Sequence, residues 1–259
     1  MGEVPIVLRT EAVCKNFGSL EVARDIAIEL PLGARHALIG PNGAGKTSLI
    51  NLMTGELRPD SGRILLDGRD ITGMPPAARV QNGLARTFQI NTLFPSLTPL
   101  EAVALAVCER QGVAGQFWRS LSAHRNAIAE ADDLLNQLRL GAVATRPTRT
   151  LPYGQQRLLE IALALATRPK VLLLDEPAAG VPKDESAMLF SVLAALPEEI
   201  SVLFIEHDMD IVFSFATRVI VMVAGGVLLE AEPEVVSRDP RVREVYLGTK
   251  ETYAAGHHA

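Results

Sequence analysis

Ala37-Leu38-Ile39-Gly40-Pro41-Asn42-Gly43-Ala44-Gly45-Lys46-Thr47-Ser48 is the stretch that decides the fold. Its first four residues are an apolar run stopped by glycine and proline, which reads as a buried strand. Beyond it, Leu49, Leu52 and Met53 recur at helical spacing, and Gly55 supplies a C-cap. Between strand and helix, residues 40–47 fit G-x-x-x-x-G-K-[ST], in the context that motif requires. Glycines let a backbone wrap closely around phosphate oxygens. Free amides and a helix N-terminus add positive potential there. The pattern therefore assigns Gly40, Pro41, Asn42, Gly43, Ala44, Gly45, Lys46, Thr47 and Ser48 to a phosphate-binding loop. Lys46 would bridge the β- and γ-phosphates, and Thr47 would ligate Mg2+.

Upstream, Ile6–Val13 and Asp25–Leu30 are partly alternating apolar segments that read as strands. Downstream, Arg63–Asp67 reads as a strand closed by an Asp67-Gly68 turn. From Pro99 to Leu140 the character changes. Leu100, Val103, Ala104 and Val107 form one helical stripe, and Ile128, Leu134, Leu135 and Leu138 another. This block reads as a helical subdomain inserted into an α/β body. The last third alternates helix (Gln155–Thr167), strand (Val171–Asp175), helix (Lys183–Leu196), strand (Val202–Glu206), helix (Met209–Ala216) and strand (Val219–Val223). Such alternation, with uniformly apolar strands, predicts a parallel sheet covered on both faces.

Composition excludes several classes. The chain has 259 residues, 48% of them hydrophobic, and a formal charge of −5. That is ample for a core. The longest uncharged apolar run, Val219–Leu229, falls short of the roughly 20 residues a membrane helix needs. The N-terminus carries no basic region ahead of an apolar stretch, so it does not read as a signal peptide. The acidic balance argues against non-specific nucleic-acid binding. Cys14 and Cys108 lack ligand spacing and read as reduced thiols.

A second site feature is Val171-Leu172-Leu173-Leu174-Asp175-Glu176-Pro177. It puts two carboxylates at the carboxyl end of a buried strand, where open α/β sheets bind ligands. Asp175 would hold Mg2+ through a water, and Glu176 would orient and activate an attacking water.

With Leu151-Pro152-Tyr153-Gly154-Gln155-Gln156-Arg157, about twenty residues before the acidic strand, the chain resembles the ATP-binding cassette (ABC) ATPases. The stretch is similar to their signature loop, usually Leu-Ser-Gly-Gly-Gln. Other family elements follow in order. Phe17 stands where an aromatic stacks on adenine. Gln89, in Arg-Thr-Phe-Gln, matches the glutamine that reaches Mg2+ and the attacking water. His207, in Ile-Glu-His-Asp, matches the histidine that contacts the γ-phosphate. The resemblance thus implies Glu176, His207 and Gln89 as catalytic residues. It implies Thr47, Gln89 and Asp175 at Mg2+. It implies Tyr153, Gly154 and Gln155 as contacts to the opposite subunit's ATP.

Two departures stand out. Pro152 replaces the signature serine and offers neither hydroxyl nor amide. Pro182 stands where the loop after the acidic strand usually carries aspartate or asparagine. Within the family, Arg86–Pro95, the Leu-Pro-Tyr-Gly-Gln-Gln-Arg signature, residues 114–125 and Asp239–Gly248 resemble the ATPases of branched-chain amino acid importers.

The resemblance implies an α/β fold: a P-loop NTPase (RecA-like) core with a mostly parallel sheet, an N-terminal antiparallel β subdomain and an inserted α-helical subdomain. It divides one ABC ATPase domain (1–259) into a nucleotide-binding core of 1–88 and 168–259 and a helical signature subdomain of 89–167. The expected cofactors are ATP and Mg2+. The expected partners are a second ABC ATPase subunit, self or paralogue, two transmembrane permease subunits, and indirectly an extracytoplasmic solute-binding protein. No nucleic acid is expected. The expected location is peripheral, on the cytoplasmic side of the inner (plasma) membrane. Phe94 and Leu97 are expected to line the groove that receives the permease. A urea or amide importer ATPase and a non-transport ABC ATPase remain open alternatives.

Overall fold

The computed structural model describes residues 4–87, 93–113 and 124–245. Gln89, most of the 114–125 segment and the end of the chain from 246 lie outside the described residues. Strands β1 (Ile6–Phe17) and β2 (Leu20–Pro31) form an antiparallel hairpin. Strand β3 (Arg35–Ile39) leads into the phosphate loop and helix α1 (Lys46–Thr54). Next come β4 (Ser61–Leu66), β5 (Arg69–Asp70), α2 (Pro76–Gln81) and β6 (Leu84–Arg86). Helices α3 (Pro99–Arg110), α4 (Arg125–Gln137) and α5 (Tyr153–Leu165) follow. The chain then alternates: β7 (Val171–Asp175), α6 (Lys183–Ala194), β8 (Ser201–Ile205), α7 (Met209–Phe215) and β9 (Arg218–Val223). Strand β10 (Gly226–Ala231) and α8 (Pro233–Arg238) complete the described elements.

Two sheets result. One is four-stranded and antiparallel, in the order β2-β1-β4-β5. The other has the order β10-β9-β3-β8-β7-β6 and is parallel except at its β9–β10 edge. The expected α/β fold, with a mostly parallel sheet and an antiparallel sheet from the N-terminal region, is the observed one. The apolar run Val219–Leu229 is a hairpin. Ala224 (φ 47°) and Gly225 (φ 78°) turn it, both left-handed as a tight hairpin demands.

Period-two alternation sorts the parallel strands onto two buried faces. Ala37, Ile39, Leu172, Leu174, Val202, Phe204, Val219 and Val221 face a helical layer that includes α3, α4, α5 and α6. Leu38, Val171, Leu173, Leu203, Ile205, Ile220 and Met222 face α1 and the antiparallel sheet. Helix α1 lies between the two sheets, so its apolar residues are not confined to one stripe. Leu49, Ile50, Leu52 and Met53 are all fully buried. Its C-terminus is closed by Gly55 (φ 85°) and by Arg79, an interior guanidinium that donates to the carbonyls of Leu52 and Met53. That fixes the far end of the helix whose near end forms the phosphate loop.

Helix α3 opens on a reciprocal capping box between Thr98 and Glu101. Glu130 of α4 then accepts from Arg110 of α3 and from Arg168 beyond α5, tying the three helices together. Helix α5 begins at Tyr153, two residues before the expected Gln155, because Pro152 (φ −54°) stands at its N-cap.

Candidate active site

The phosphate loop is shaped by close backbone approach. A Cβ at Gly40 would run into the Met222 carbonyl oxygen, and one at Gly45 into that of Val22. Only glycine fits at these two positions. The β9–β10 turn supports the loop from outside. Gly225 N–H donates to the Ala44 carbonyl (3.0 Å), and Gly225 accepts from Arg24 N–H (2.7 Å). Gly225 therefore belongs to the site's support, although no motif marks it in the sequence.

Lys46 is buried, and its Nζ donates to the carbonyls of Gly40 (2.7 Å) and Pro41 (3.0 Å). Burial lowers its pKa, while Glu176 and Asp175 hold it up. The ammonium thus sits inside the loop. Thr47, in the first turn of α1, is exposed, and Ser48 beside it is half-buried. Phe17 ends β1, half exposed, with Lys15 Nζ 5.6 Å from its ring centroid.

The acidic edge lies at the carboxyl ends of β7 and β8. Asp175 Oδ2 accepts from Arg86 Nη2 at 2.8 Å. Arg86 also donates to Asn51 of α1 at 2.6 Å. The end of β6, three residues before Gln89, is thereby linked to Asp175 and to the helix behind the phosphate loop. In the sequence, Arg86 is only part of Arg-Thr-Phe-Gln, with no role of its own.

Glu176 adopts φ 49°, uncommon for a residue with a side chain. Its Oε1 lies 2.8 Å from His207 Nε2, so two residues 31 positions apart form one pair. Glu206, immediately before His207, is buried. It accepts from the backbone N–H of Ala178 (2.8 Å) and of His207 (3.2 Å). Burial pushes its carboxyl pKa up, and these two donors pull it back. A cavity of about 740 Å³ opens beside Glu176 and His207 and runs between α6 and α7. Beneath it, Phe190, Phe204 and Phe215 pack edge to face, fixing both helices to β8.

The signature segment stands apart from these groups. Tyr153 is half exposed, and Arg157 donates to its hydroxyl. Arg157 also pairs with buried Glu160, whose carboxyl burial pushes up to about 7. The Gly154 N–H donates to Glu185 of α6 (3.2 Å), and Gln155 Oε1 is buried without a partner. One chain brings Lys46, Asp175, Glu176 and His207 to one edge, with Gly154 and Gln155 elsewhere.

The model of the ABC transporter family matches residues 23–179, which span the phosphate loop, the signature segment and the acidic strand. The chain belongs to the ABC transporter family. This cassette is an ATPase that binds and hydrolyses ATP. It is 36% identical over 251 residues to the high-affinity branched-chain amino acid transport ATP-binding protein BraF of Pseudomonas aeruginosa, covering 93% of this chain and 98% of the relative. It is 34% identical over 249 residues to the corresponding protein LivG of Escherichia coli, covering 93% and 98%. Among solved structures, the ADP conformation of an ATP-binding cassette of an ABC transporter superposes with TM-score 0.83 and 34% identity, covering 94% of this chain and 99% of that one. No helix among the described residues is long and apolar enough to cross a membrane.

Proposed function

We propose that this cassette is the motor subunit of an importer for branched-chain amino acids. The observation that carries the reading is the likeness to BraF and LivG over nearly the whole chain. In this reading the cassette works peripherally at the cytoplasmic face of the membrane. It would pair with a second cassette, beneath two permease subunits served by a solute-binding protein. Residues 89–167 would form the signature-bearing helical subdomain and the remainder the nucleotide-binding core.

Each group then has its own task. Phe17 stacks on adenine. The amides of residues 42–48 and the Lys46 ammonium neutralise the phosphates. The Thr47 hydroxyl, the Asp175 carboxylate and Gln89 are a hard, all-oxygen donor set that suits Mg2+. When bound, Mg2+ would supply charge neutralisation on the phosphates. Releasing Asp175 from Arg86 would free its oxygen for this role. Glu176 orients the attacking water, and His207 contacts the γ-phosphate. Tyr153, Gly154 and Gln155 meet the ATP of the opposite subunit. The Gly154 amide is held by Glu185 in this single chain, and an incoming phosphate would replace that carboxylate.

Phe94 supports the assignment of the permease groove. It is a large apolar side chain, 66% exposed, just after the Gln89 segment, with half-buried Leu97 beside it. The test is ATPase activity of the cassette reconstituted with its membrane subunits and binding protein, across a panel of amino acids. Stimulation by leucine, isoleucine or valine is expected. Stimulation by urea or short amides alone would overturn the substrate assignment.

A further inference from the structure

We propose that Glu206 is a positioning residue for ATP hydrolysis, holding the loops of Glu176 and His207 as one unit through both oxygens of its carboxylate. In sequence, Glu206 is only the acid that ends an apolar strand, and such a residue ordinarily turns to solvent. Here it is 5% exposed, while Glu176 and His207 on either side are nearly half exposed. Burying a carboxylate is costly unless its oxygens are used. Both are used on backbone N–H groups of the two loops that follow β7 and β8.

Two further bonds complete the unit. Glu176 N–H donates to the Ile205 carbonyl (3.1 Å), and the Glu176 carboxylate meets His207 Nε2 (2.8 Å). Glu176 also holds a left-handed backbone, which persists only where its surroundings over-determine it. Glu206 supplies that restraint two residues downstream, at Ala178. A carboxylate suits the task because both oxygens accept. A glutamine would turn an NH2 group toward one of the two donors.

This inference rests on Glu176 and His207 having the roles proposed above. The experiment compares the full chain with Glu206→Gln, Glu206→Ala, His207→Ala, Glu206→Ala/His207→Ala and Glu176→Gln. Nucleotide affinity, KM and kcat are measured for each. For Glu206→Gln, affinity and KM stay within about threefold and kcat falls about tenfold, the loss of one charge-assisted hydrogen bond. Glu206→Ala loses more, and the double variant with His207→Ala loses less than the product of the two single losses, because part of the effect of Glu206 passes through His207. Turnover of Glu206→Gln within twofold of the parent overturns the proposal. So does a Glu206→Ala loss that multiplies with that of His207→Ala, or a fall in affinity equal to the fall in kcat. If the alanine variant does not fold, the volume-conserving glutamine variant decides. If Glu176→Gln keeps full turnover, the assignment of Glu176 fails and this inference falls with it. If Glu176→Gln is inactive and Glu206→Gln is unchanged, only the positioning role fails.

Discussion

The phosphate loop and the acidic edge lie at the carboxyl ends of neighbouring strands, yet they are built from different materials. The loop between β3 and α1 is made of backbone: amides, two glycines that no other residue can replace, and carbonyls gathered around Lys46. The edge after β7 and β8 is made of side chains, with Asp175 on Arg86, Glu176 on His207, and Glu206 on two loops. Backbone geometry follows from local sequence, so the loop announces itself as a contiguous motif. Side-chain pairs depend on register between strands, so the edge is scattered over residues 86–207. The two regions should therefore fail differently. The loop should fail when atoms are added, and the edge when charge is removed.

The largest effect is expected at the edge. Glu176→Gln keeps nearly all the volume and removes the charge. Turnover should fall roughly 100- to 10,000-fold, the range of a lost general base, with ATP still bound. Single-turnover hydrolysis and nucleotide binding measure the two separately. Undiminished turnover would place the base elsewhere.

At the loop, Gly40→Ala adds one methyl against the Met222 carbonyl and should cost about 3 kcal/mol in denaturant melts. Gly43→Ala, in the same motif, meets nothing within 4 Å and should cost only about 1 kcal/mol of left-handed strain. Equal costs would mean that conformational freedom, and not close approach, governs the loop.

Acid sensitivity separates the regions again. His36 of β3 is buried, and burial, then the Arg218 charge, lowers its imidazole to about 4. The unfolded chain takes up that proton first, near 6.5. Stability is therefore complete above this value and is lost as pH falls toward 4, by about 1.4 kcal/mol per pH unit. His36→Leu should flatten that limb of the stability profile. An unchanged slope would show that the buried imidazole of His36 does not set this acid limb.

The smallest effect is at the loop's outer margin. Phe17→Ala should weaken ATP binding about fivefold, the loss of one aromatic stack worth about 1 kcal/mol, without changing kcat. A change in kcat would show that β1 takes part in closing the edge.

Much of this molecule is legible in its sequence. The phosphate loop, α1 with its Gly55 stop, and the alternation from β7 to β9 are local patterns of glycine and hydrophobic spacing. Elements of three to six residues are not legible in that way. Strand β6 and helices α2 and α8 carry too few residues to show a period, and Arg79 and Arg86 travel with them. Gly225 is visible as an interruption in an apolar run, but not as the turn that braces the phosphate loop.

The sequence by itself determined the family, the order of the strands and helices along the chain, and which residue types stand ready for nucleotide chemistry. These depend on contiguous runs, where chain connectivity already supplies proximity. Only the tertiary structure decided the partners: Arg86 on Asp175, Glu176 on His207, Glu206 bridging both loops, and Gly154 held by Glu185. Apart from the bond of Glu206 to its neighbour His207, such pairs join residues 28 to 89 positions apart. Their distance is set by how β6, β7 and β8 align in one sheet and how α6 packs beneath it, which no local pattern encodes.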